Sequence, residues 1–304
     1  KVWNLDTGQE LHSLSGHSSN VTEVTVIPDG SKLVSGSEDG TVKVWNLETG
    51  QELHSLSGHS SYVTAVAVTP DGSKIVSGSL DQTVKVWDLG NGQELLSLSG
   101  HSSCVEAVAV TPDGSKIVSG SIDRTVKVWD LETGQELHFF SNHSNNVTEV
   151  AVTPNGSKIV SESRHQTVKV WNLDTGQELH SFSDDDCHPL DRFSAVAVTP
   201  DGSKLVSGSI DRVAKVWDLE IGQELHSLPS HSNNVKEVAV TPDGSKLVSG
   251  SWDNTVKVWN LDTGQELFSL SDHSNSVTAV AVTPDGSKIV SGSIDRTVKV
   301  WNLD

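Results

Sequence analysis

A segment of 42 residues recurs along this chain, each copy closing on Lys-Val-Trp. The tryptophans stand at Trp3, Trp45, Trp87, Trp129, Trp171, Trp217, Trp259 and Trp301, and only the interval from Trp171 to Trp217 departs from the period, being 46. A fixed period of this size means one supersecondary unit stacked repeatedly, because a unit so small cannot bury its apolar faces alone. The copies are close: Ala107–Trp129 and Ala279–Trp301 are identical. Function therefore has to be sought where the copies differ.

Each unit reads as four short strands. In the unit ending at Trp129 these are Val105–Thr111, Lys116–Gly120, Thr125–Leu131 and Gln135–Phe140. Pro112-Asp113-Gly114-Ser115, Ser121–Arg124 and Glu132-Thr133-Gly134 mark the turns between them. Turns this short join antiparallel neighbours, so each unit is a meander. Sheets of this kind cover both faces and most edges when stacked around an axis, and a period of about 40–45 residues matches propeller blades. Small residues such as Ala65, Ala67, Ala107 and Ala109 suit the crowded inner strand. The fold expected is all-β, a seven-bladed β-propeller of four-stranded antiparallel blades. The chain starts and ends on a third strand, so the fourth strand at Gln9–Leu14 is expected to pair with Thr297–Leu303 and close the ring. Lys1–Leu5 is then a surplus third-strand copy competing for the same place.

No linker or composition shift interrupts the repeat, so residues 1–304 read as one domain, expected to be monomeric. The start inside a repeat, without methionine, reads as a segment of a longer protein. Forty acidic against 21 basic residues give a formal charge of −19, which disfavours nucleic acid and anionic membranes as partners. No apolar run reaches the roughly 20 residues of a membrane helix. Cys104 and Cys187 have no ligand-like spacing, and a reducing cytoplasm is the expected location.

Four polar positions recur at fixed offsets: His17, Ser35, Asp39 and Trp45; His59, Ser77, Asp81 and Trp87; His101, Ser119, Asp123 and Trp129; His231, Ser249, Asp253 and Trp259; His273, Ser291, Asp295 and Trp301. A His, Ser and Asp together bring a catalytic triad to mind. An enzyme builds one active site, however, not five copies. The set is expected to be a buried network in which aspartate holds turn amides and histidine, and histidine passes the chain through serine to the indole N–H.

These positions, with Gly16-His17, Gly58-His59 and Gly100-His101 and with Trp87-Asp88, Trp129-Asp130 and Trp217-Asp218, resemble the WD-repeat β-propeller family over the whole chain. Trp45-Asn46 and Trp259-Asn260 carry the Trp-Asn variation. The resemblance implies a seven-bladed scaffold that binds proteins or peptides, usually without catalysis. Near-identical repeats look like recently amplified bacterial members, often sensor regions of signalling ATPases, proteases or kinases.

Two units depart from the pattern. In the fourth, His165 replaces the turn aspartate; in the fifth, the loop from Ser183 to Asp191 carries the insertion, with His188 out of register. These neighbouring units are expected to be the least stable. Asp184, Asp185, Asp186, Cys187, His188 and Asp191 match neither calcium nor zinc spacing well, and a solvated acidic loop is the simpler reading. Neither phosphate loop, H-E-x-x-H nor nucleophile elbow occurs, so no catalytic residue, metal or cofactor is expected.

The residue before the turn aspartate changes from copy to copy: Glu38, Leu80, Ile122, Arg164, Ile210, Trp252 and Ile294. Residues flanking the first valine of the inner strand vary too, among them Tyr62, Cys104, Glu106, Arg192 and Lys236. If the aspartate points into the blade, its predecessor points out. In the family these slots line the upper rim of the central channel. A protein or peptide partner is therefore expected to dock on Trp252, Ile210, Ile294, Ile122, Leu80 and Tyr62, with Arg164, Arg192, Glu106 and Lys236 beside them. The competing reading is a purely architectural propeller without a dedicated ligand.

Overall fold

The computed structural model describes residues 1–163, 167–183, 193–209, 212–229 and 231–303. Among them every regular element is a β-strand, 29 in all. The second full repeat shows the unit: Val63–Val68, Lys74–Ser79, Thr83–Asp88 and Glu94–Ser99 pair in that order, all antiparallel. Val66 faces Ser77, Ile75 faces Trp87 and Val86 faces Leu96 across the ladders. The Pro-Asp-Gly-Ser turn follows from its residues. Proline presets the turn, Gly72 takes φ +69°, and Asp71 Oδ1 accepts from Ser73 N and Thr69 Oγ1.

The chain divides into two compact units, Lys1–Val152 and Thr153–Asp304. The first holds a short N-terminal hairpin, three four-stranded sheets beginning at Val21, Val63 and Val105, and the strand Val147–Val152. The second holds the strands from Lys158 to Ser183, two four-stranded sheets beginning at Phe193 and Val235, and a three-stranded sheet from Val277 to Asn302.

Within each unit neighbouring sheets pack through the same positions. Val34, Val42, Val44 and Leu56 of one sheet meet Val63, Val66, Ile75 and Trp87 of the next. In the second unit Val206, Ala214, Val216 and Leu228 meet Val235, Val238, Leu247 and Trp259 in the same way. The approach is close enough to demand glycine at one place. A Cβ on Gly36 would stand 2.8 Å from Val63 Cγ1, and one on Gly250 2.8 Å from Val277 Cγ1. The fourth repeat carries Glu162 at this position, buried at 3% exposure. Glu162 was not singled out in the sequence reading, though the glycine column exposes it.

The expected pairing of Gln9–Leu14 with Thr297–Leu303 is not what forms. Glu10–His12 pairs with Val2–Trp3, and the last sheet ends at Val298–Asn302 with three strands. The competition between the two third-strand copies goes to the local one. Lys1–Asp6 repeats Lys299–Asp304 letter for letter, so side-chain preference cannot separate them. Closing a hairpin across Asp6-Thr7-Gly8 costs far less chain entropy than closing nearly the whole chain. The hairpin still packs as a fourth strand should: His12 Nε2 bonds Glu48 O at 2.9 Å, as His226 Nε2 bonds Asp262 O at 3.0 Å. Beyond it the first sheet leaves Val24 57% exposed, where its equivalent Val66 is 4% exposed.

Candidate partner-binding surface

The turn between second and third strands builds the surface. In Ser121–Thr125, Arg124 N donates to Ser121 O at 3.1 Å and Asp123 N to Ser121 Oγ at 3.0 Å. Arg124 takes φ +72°, the left-handed conformation that Gly40 supplies in the first repeat. Asp123 turns inward: Oδ1 accepts from Thr125 N and Thr125 Oγ1, and Oδ2 from Ser102 N and His101 Nδ1, at 2.6–3.0 Å. The network continues from His101 Nε2 to Ser119 Oγ at 2.8 Å, and Ser119 Oγ accepts Trp129 Nε1–H at 2.9 Å.

The same connections join His17, Asp39, Ser35 and Trp45; His59, Asp81, Ser77 and Trp87; His231, Asp253, Ser249 and Trp259; and His273, Asp295, Ser291 and Trp301. In the fourth and fifth repeats the indole–serine bond persists, Trp171 to Ser161 at 2.8 Å and Trp217 to Ser207 at 3.0 Å. His165, His188 and the loop 184–191 lie outside the described residues.

Electrostatics fix the direction of this relay. Burial works to raise the Asp81 carboxyl, but hydrogen bonds from Thr83, His59 and Ser60 outweigh it and hold it down to about 2. An ionised aspartate accepts a hydrogen bond from Nδ1–H, so Nε2 of a neutral imidazole accepts from serine and serine accepts from tryptophan. Burial pushes the His59 and His101 imidazoles below their ordinary value and outweighs the opposing pull of Asp81 and Asp123, which favours the neutral form. The geometry matches that of a catalytic triad, yet Ser119 is 0% exposed and its oxygen is taken by the indole. These serines cannot meet a substrate. Among the described residues no group of His, Cys, Asp and Glu could hold a metal ion, and no helix is long and apolar enough to cross a membrane.

With the aspartate drawn inward, its predecessor sits at the turn tip, tied to the residue before the first valine of the same sheet. Leu80 N donates to Tyr62 O, Ile122 N to Cys104 O, Trp252 N to Asn234 O and Ile294 N to Ser276 O, at 2.9–3.0 Å. The two sets of variable slots are thus one locus in each sheet. In the first unit Tyr62 is exposed, while Leu80, Ile122 and Glu106 are half-buried. In the second unit Trp252 is 44% and Ile294 55% exposed, and Lys236 is half-buried. Ser276 Oγ donates to Trp252 O at 3.4 Å, joining two neighbouring tips. Ile210, Arg164 and Arg192 lie outside the described residues.

The opposite end is repetitive. A cleft of about 380 Å³ between the turns at Pro70 and Gly114 recurs, at about 440 Å³, between those at Pro242 and Gly286. Their aspartates Asp71, Asp113 and Asp243 are held down to about 2 by hydrogen bonds from the adjacent threonine and serine. They serve the turns.

Antiparallel four-stranded meanders, each locked by an Asp–His–Ser–Trp relay, define the WD type of β-propeller repeat. A family model for the WDR3 first beta-propeller domain matches residues 1–173, and the model for the WD domain, G-beta repeat, matches 176–218, 222–260 and 264–302. The chain belongs to the WD-repeat β-propeller family. No curated protein matches it.

Proposed function

We propose that this chain is a non-catalytic protein-interaction module whose partner docks on the turn-tip end of the sheets, as a sensor or adaptor region of a signalling protein. WD-repeat domains generally serve as protein-interaction scaffolds. One observation carries the choice of surface: among the slots that vary between near-identical repeats, Tyr62 in the first unit and Trp252 and Ile294 in the second are large, apolar and exposed. Aromatic anchors of this kind commonly contribute about 2 kcal/mol or more on truncation. Binders selected from a displayed peptide library should therefore lose roughly thirtyfold in affinity on Trp252→Ala. Asp113→Asn, at the opposite end, should leave binding unchanged. Binders that survive Trp252→Ala and Ile294→Ala but fail on Asp113→Asn would overturn the assignment.

A further inference from the structure

The chain holds five arginines, and the three among the described residues, Arg124, Arg212 and Arg296, each fall in the turn between second and third strands. In the four-stranded sheets the third-strand lysines pair within the sheet: Lys127 Nζ lies 2.6 Å from Glu136 and Lys257 Nζ 2.9 Å from Glu266. At the opposite end Lys74 pairs with Glu132 and Lys204 with Asp262. Arg124, Arg212 and Arg296 are exposed and form no ion pair with another described residue. They also occupy the left-handed turn position, at φ +72°, +76° and +69°. A side chain there carries strain that glycine would avoid, and Gly40 shows that glycine fits; Gln82 and Asn254 take the same position in two other repeats. An arginine held under that strain, three times over and unpaired, is available to something outside the fold.

In the second unit these cations stand beside the exposed apolar tips. Ile294 and Arg296 flank Asp295 on one turn, and Ser276 ties that turn to Trp252. Arg212 is at the tip of the sheet beginning at Phe193, and Lys236 lies in the inner strand of the Trp252 sheet. The tip carboxylates Asp253 and Asp295 are consumed by His231 and His273 and by the turn amides. Glu237 is pushed up to about 7 by burial, so it offsets little of this charge, and the exposed Asp272 precedes His273 in the loop from the preceding sheet.

We infer that the Trp252–Ile294–Arg296 cluster, with Arg212 and Lys236, takes an acidic-apolar peptide segment: an aliphatic or aromatic side chain against Trp252 and Ile294, with flanking side-chain carboxylates on the arginines. Bidentate guanidinium–carboxylate pairs give such a site direction as well as attraction. The chain's overall charge of −19 opposes an acidic ligand only weakly, since charges beyond about 8 Å are screened at physiological salt.

The inference rests on the proposed docking end, and its test separates the two. A displayed library of random peptides is selected on the chain, and the selected peptides are titrated at low and high salt. Enrichment of Asp and Glu beside Leu, Ile, Phe or Trp is expected, with affinity falling as salt rises. Arg296→Gly should cut affinity at least fivefold while raising the unfolding midpoint, because the left-handed turn is relieved. Arg296→Lys should recover part of the binding. Peptides that need Trp252 but carry no acidic bias, or that ignore Arg296→Gly, overturn this inference and leave the docking end intact. Peptides indifferent to both Trp252→Ala and Arg296→Gly overturn both, and selection of basic peptides overturns this inference alone.

Discussion

At the scale of single residues, the relay from Asp81 through His59 and Ser77 to Trp87 holds only while the imidazole is neutral and the carboxylate ionised. His59 and His101 have folded values below their ordinary 6.5, so the unfolded chain binds more protons as pH falls through that value. Stability from these groups is complete above pH 6.5 and is lost as pH drops below it. Asp81, at about 2 against an ordinary 3.8, adds a second loss between those values. The urea midpoint should therefore be level above pH 7 and decline in two stages on acidification. Partial neutralisation of a chain carrying −19 works the other way, but exposed like charges are screened in moderate salt. A midpoint at 0.3 M salt that stays flat or rises from pH 7 to 5.5 would exclude the neutral relay. The five complete sets were legible in the sequence because polar types at fixed offsets from a buried indole have few other uses. The positive φ of Arg124, Arg212 and Arg296 was not, since only comparison with Gly40 in a known turn reveals it.

At the scale of the strand and sheet, the repeat succeeds because one interface serves many times, and the fourth repeat breaks it. Where Gly36, Gly78, Gly120, Gly208 and Gly250 let the next sheet's valines approach to van der Waals contact, Glu162 places a carboxylate-bearing side chain in a buried position. The sequence places the expected weakest sector in the fourth and fifth repeats on the grounds of His165 and the loop 183–191, and His165 and residues 184–191 lie outside the described residues. Replacing Glu162 with glycine restores the repeat's own solution. Glu162→Gly should raise the urea midpoint, because the sheet-to-sheet approach used in the other repeats is regained. Amide exchange in Phe193–Val198 should slow with it. Unchanged exchange there, together with an unchanged or lower urea midpoint, would show that Glu162 is compensated by its own partners.

At the scale of the whole molecule, the strand pattern, the turn chemistry and the inter-sheet core follow from a 42-residue period, while the pairing of its first strand does not. Periodicity names which strands are alike and is silent on which of two identical copies a fourth strand will choose. Lys1–Asp6 and Lys299–Asp304 are the extreme case, and chain entropy decides between them in favour of the neighbour. The two parts of the hairpin differ in what they contribute. Val2–Trp3 makes a two-residue ladder and leaves Trp3 42% exposed. Beyond it, His12 bonds Glu48 O, and Leu14 closes with Lys1, Val21, Val24, Leu33 and Trp45 around a cavity of about 230 Å³ against the first sheet. Deleting Lys1–Leu5 should thus shift the thermal midpoint by no more than a few degrees. Deleting Lys1–Ser15 strips the cover from the buried Trp45 and should cost several kcal/mol, at about 25 cal/mol per Å² of apolar surface exposed. Equal losses from the two deletions, measured by calorimetry at one protein concentration, would mean that Val2–Trp3 carries the hairpin's stability and that the packing of His12 and Leu14 contributes little.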